Sequence, residues 1–114
     1  MAIKLICREI ECVEGVVRRI LEENGYTFDN VKINVSDMPY NELARFDGSN
    51  IYVNSVKFKS FATQVGGDSK FVSAYLTVVS LYAVINDKQR LRELVKRVFG
   101  DKSLEYTIFN LLFD

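Results

Sequence analysis

The chain of 114 residues carries 15 basic and 15 acidic side chains, 48% hydrophobic residues, two cysteines and no histidine. That length fits one domain, residues 1–114, and the apolar fraction is that of a chain that folds rather than one that stays disordered. Balanced charge provides no general attraction to nucleic acid or anionic lipid, and the missing imidazole removes the usual general base near neutral pH and the commonest zinc ligand.

In chain order, residues 3–7 form a short apolar run that suits a first strand or the entry to a helix and is read as a strand. Residues 9–23 follow with Ile10, Val13, Val16, Val17, Ile20 and Leu21 at helical spacing and acids and arginines between them, which predicts an amphipathic helix closed by Asn24-Gly25. Cys7 and Cys12 are too few for a disulfide framework and are read as buried small hydrophobes in a reducing interior. With no apolar signal after Met1, the expected localisation is cytoplasmic. The abundance of Ile, Val, Lys and Glu is compatible with a thermophilic source.

Val31, Ile33 and Val35 alternate with polar residues and predict a strand. Residues 43–46 and 51–53 are two more, joined through Asp47-Gly48-Ser49-Asn50 as a hairpin. Val56, Phe58 and Phe61 continue an apolar set read as a loop covering one end of the core, running into a Gly66-Gly67 connector. Residues 71–85 hold no charge and predict a helix buried on most sides, capped by Asp68 or Ser69 and ended by Asn86-Asp87. As a helix they would span about 22 Å, short of a bilayer's hydrocarbon. Leu91, Leu94, Val95, Val98 and Phe99 make the stripe of a further helix stopped by Gly100, and Ser103 caps a last helix reaching Phe113. The fold class read from this order is α+β: an N-terminal helix, a small antiparallel sheet, then three C-terminal helices around one core.

Residues 41–54, with Asn41 and Ala44 in an Asn-x-x-Ala run, a turn, and Ile51-x-Val53, resemble the edge-strand segment of zincin metallopeptidases, and the apolar residues 77–85 are similar in character to that family's metal helix. The resemblance implies a zincin-like fold without its site. The positions of the two histidines and the glutamate fall on Ser80, Val84 and Leu81, which hold no zinc and move no proton.

No catalytic residue, metal ligand or cofactor is assigned. Asp37, Tyr40, Glu42 and Asp47 cluster in the sequence, yet each fits a turn or strand-end role. Lys88, Arg92 and Lys96 lie four apart on a helix that also carries Arg97, the pattern of a phosphate-contacting stripe on nucleic acid. Tyr75, Tyr82, Phe109, Leu112 and Phe113 are apolar or aromatic beyond what one small core needs and are read as an interface. The leading expectation is a non-catalytic interaction module that binds another protein or forms a homodimer. Nucleic-acid binding through residues 88–98 is the alternative.

Overall fold

The computed structural model describes residues 10–27 and 31–113, so the strand expected at residues 3–7 lies outside the described residues. Its elements are α1 (Ile10–Glu23), β1 (Lys32–Ser36), β2 (Ala44–Phe46), β3 (Asn50–Asn54), α2 (Ser55–Gln64), α3 (Ser69–Ile85), α4 (Lys88–Phe99) and α5 (Leu104–Phe113). This is an α+β fold with an N-terminal helix and three C-terminal helices. No helix among the described residues is long and apolar enough to cross a membrane.

The helix ends follow local chemistry. Asp68 caps α3 through a bond from the Lys70 N–H, and Asn86 closes that helix in the left-handed conformation at φ 51°. The Asp87 carboxylate accepts from Gln89 and Arg90 and starts α4. At α5 the Ser103 hydroxyl accepts from the Tyr106 N–H at 3.1 Å. In each case a side chain or a left-handed residue satisfies backbone groups that a helix end leaves open.

α3 is the centre of the molecule. Its residues from Ser73 to Leu81 are all buried, because it packs against the other four helices and against β2 and β3. α1 contributes Val13, Val17, Ile20 and Leu21 to the same core, and α4 adds Leu91, Leu94, Val95 and Phe99. An amphipathic helix needs one apolar stripe, whereas α3, enclosed on most sides, needs apolar or small residues all round.

The sheet departs from the antiparallel expectation. β2 and β3 form the expected hairpin, Ala44 opposite Val53 and Phe46 opposite Ile51. Gly48 takes φ 101° at its turn, a conformation costly for any residue with a Cβ. β1, however, pairs parallel with β3, Ile33 opposite Ile51, so the order is β1-β3-β2. Residues 37–43 carry the chain past β3's place before β2 begins. β3, with Ile51 and Val53 fully buried, takes the middle.

Two further expectations are corrected. Residues 55–64 form α2 rather than a loop: the Asn54 carboxamide oxygen accepts from the N–H groups of Val56 and Lys57 at 3.0 and 3.2 Å and nucleates a helix directly after β3. The glycines after it close that helix, Gly66 at φ 65° and Gly67 at φ 71°. Cys12, read as a buried thiol, is exposed and disulfide-bonded. The chain's one other cysteine, Cys7, lies outside the described residues. A solvent-facing helix position leaves a thiol open to oxidation, so the burial argument for reduced cysteines does not apply.

Candidate functional site: a cleft beside the open sheet edge

The two edges of the sheet are treated differently. On β1 the Ile33 N–H donates to the Glu14 carboxylate of α1 at 2.6 Å, which occupies that edge. On β2 the Asn54 N–H donates to the Leu43 carbonyl at 3.1 Å and the Asp47 N–H to the Asn50 carbonyl at 3.1 Å. The alternation of an antiparallel ladder then turns the N–H and C=O of Ala44 away from β3, and they have no partner among the described residues. An uncovered strand edge is a template for a further strand.

Beside this edge lies a cleft of about 700 Å³, bordered by Leu43 and Ala44, by α2, by α3 and by the end of α5. That volume is within the range of about 300–1,000 Å³ typical of ligand sites. Its walls are aromatic. The rings of Phe61 and Tyr75 stack at 4.6 Å between centroids, and those of Tyr82 and Phe113 meet at 4.8 Å. Tyr40, 77% exposed, and Val56, 55% exposed, stand on its rim as large apolar groups in water.

One polar group inside it lacks a partner. Tyr75 is only 1% exposed, and its hydroxyl, not itself fully buried, makes no hydrogen bond among the described residues; the fully buried side-chain oxygen without a partner among them is Ser80 Oγ. Burial pushes the Tyr75 hydroxyl up to about 12, so it stays a neutral donor at any physiological pH. A phenol whose hydroxyl reaches a cleft wall without a protein partner is placed to bond a ligand.

Asn54 shapes the wall opposite. Fully buried, it caps α2 through its oxygen, while its nitrogen donates to the carbonyls of Pro39 and Glu42 at 3.1 and 2.8 Å. The segment that carries Tyr40, Asn41 and Glu42 along the cleft is thereby tied to the start of α2.

The residues singled out in the sequence are dispersed. Tyr40 and Glu42 border the cleft, whereas Asp37 and Asp47 line a separate depression with Arg45 and Tyr52. Asp37 accepts from the Ser55 hydroxyl at 2.8 Å. Asp47 accepts from the Ser49 and Asn50 N–H groups and the Tyr52 hydroxyl, and the Asn50 and Ser49 bonds hold its carboxyl below the ordinary value of 3.8. The hydrogen bond to Asp47 in turn raises the Tyr52 phenol. No group of three metal-binding side chains gathers among the described residues.

The basic stripe on α4 is divided among different neighbours. Arg92 lays its guanidinium 5.1 Å from the Phe109 ring centre and donates to Asn110 at 3.3 Å, Arg97 donates to Asn24 at 2.7 Å, and Lys88 faces the cleft. Lys96 is exposed. Of the expected interface residues, Tyr75, Tyr82, Leu112 and Phe113 all line the cleft. Phe109 is the exception: it is fully buried, because α5 packs it under Arg92 and against Phe113, and it serves the core. Ser80, Leu81 and Val84, the positions aligned with zincin ligands, are not among the cleft's lining residues.

The sequence reading missed Asn54, Lys57 and Phe61 as parts of a site. The available signal was Asn54 itself, a good cap residue followed by Val56, Phe58 and Phe61, hidden because it also ends a strand. No family model, no curated protein and no solved structure matches the chain.

Proposed function

We propose that this protein is a non-catalytic interaction module that holds an extended segment of another polypeptide in the cleft, paired to β2 as an added strand. The observation that carries the reading is that, among the described residues, the Ala44 backbone groups are unpaired directly beside an aromatic cleft, while on the opposite edge the Ile33 N–H is taken by Glu14. Backbone bonds along an edge supply affinity in such complexes, and pockets for alternate side chains supply selectivity. Residues 41–54, which resemble the zincin edge-strand segment, contain β2 and β3. This supports, as part of the same proposal, a zincin-like scaffold without zinc ligands and without proteolysis.

The test is selection of a random linear-peptide library on the purified full chain, followed by fluorescence anisotropy with the selected peptides. Ala44→Pro removes an N–H that β3 does not use, so the fold should survive while the added strand loses its donor. Phe61→Ala opens the aromatic wall. Selected peptides should bind the wild type at micromolar concentration and lose at least tenfold in affinity to either folded variant. A selection that returns nothing above background, or peptides indifferent to both changes, would overturn the proposal. So would light scattering that shows a dimer closed through the cleft, which would make a second copy the occupant.

A further inference from the structure

The cationic groups of the cleft are uncommitted. Lys57 of α2 and Lys88 of α4 both line it, and neither pairs with a carboxylate among the described residues. Each ammonium instead lies over a ring, Lys57 Nζ at 4.5 Å from the centre of Tyr40 and Lys88 Nζ at 5.8 Å from that of Phe113. Such contacts restrict a lysine without neutralising it. Glu42 is the one acid among the described lining residues, and Arg45 engages both of its oxygens at 2.6 and 3.0 Å. The cleft therefore offers two partly ordered positive charges, an aromatic wall, and the unpartnered Tyr75 hydroxyl.

We infer that the segment bound there is acidic: an apolar or aromatic side chain enters against Phe61 and Tyr75, and Asp or Glu residues of the same segment meet Lys57 and Lys88. This rests on the reading of the cleft as a groove for an extended polypeptide and adds the chemistry of its occupant. Complementary charge at the rim of a site chooses the partner and speeds encounter more than it adds affinity. The Tyr75 hydroxyl donates to a carbonyl or carboxylate oxygen of the bound chain.

The same peptide selection tests it, read for composition and then for charge. Selected peptides should be enriched in Asp and Glu near an aromatic or aliphatic residue. Their affinity should fall with added salt and drop about 3-fold for each of Lys57→Gln and Lys88→Gln, the range for exposed ion pairs. The double charge reversal Lys57→Glu with Lys88→Glu should reject them and accept the matching peptide with Lys in place of Asp and Glu. Arg90→Glu, on α4 but outside the cleft, should change little. Peptides that bind in an Ala44- and Phe61-dependent way, yet show no acidic enrichment and ignore both lysine changes, would overturn this inference and leave the groove standing. Failure to select any peptide would remove both. Circular dichroism melts of each variant separate a lost charge from a lost fold.

Discussion

The Asn54 side-chain nitrogen donates to the Glu42 carbonyl oxygen at 2.8 Å, joining the segment before β2 to the start of α2 through one buried carboxamide. The same group caps the helix through its oxygen, so both ends of the amide are used. Asn54→Ala should cost about 2–4 kcal/mol in denaturant melts, since it removes a cap and takes the side-chain donor from the part-buried Glu42 carbonyl. Asn54→Asp keeps the acceptor and loses the donor. It should retain α2 but loosen the Tyr40–Glu42 wall, visible as faster amide exchange in residues 40–43 than in the wild type.

Tyr75→Phe separates stability from binding. The hydroxyl has no protein partner among the described residues, so the melt should stay within about 0.5 kcal/mol of wild type, while peptide affinity falls about fivefold for one lost hydrogen bond. A large loss of stability with unchanged affinity would show that the hydroxyl serves the fold.

Asp47 gives the hairpin a pH dependence. Backbone bonds from Asn50 and Ser49 hold its folded value below the ordinary 3.8, so its contribution is fully present above that value in the unfolded chain and is lost as pH falls through the lower folded value. Wild type should therefore be more stable than Asp47→Asn at pH 7, with the difference shrinking below about 3.8. Paired urea melts at pH 7 and pH 3 measure it.

Glu105 has the opposite sign. Burial at the start of α5 raises its carboxyl above the ordinary 4.5, so the folded state resists the charged form, and the cost is present at neutral pH and absent below 4.5. Glu105→Gln should raise the melting temperature at pH 7 and make no difference at pH 3.5. No gain at pH 7 would mean that the helix dipole offsets the burial.

Cys12 in a disulfide predicts that, in protein purified without reductant and unfolded in guanidinium, peptide mapping after alkylation finds Cys12 unmodified, and that reduction makes it reactive. A Cys12 thiol alkylated before reduction would contradict it.

Much of this architecture is written locally. The stripes of α1 and α4, the uncharged run of α3, the caps at Asp68, Asp87 and Ser103, and the turn at Gly48 each depend on residues within a few positions of one another, so their elements follow from spacing alone. Asn54 marks the limit: its cap is local, but its strand position masked it, and α2 emerges only when the helix is seen held by the Pro39 and Glu42 carbonyls. Tertiary structure alone decided that β1 lies parallel to β3, that Glu14 takes the Ile33 N–H on one sheet edge while Ala44 on the other has no partner among the described residues, and that Lys57 and Lys88, 31 positions apart, border one cleft. Such relationships join segments distant in the chain, and the free energy that selects them comes from burying the whole core at once, which no short window of sequence contains.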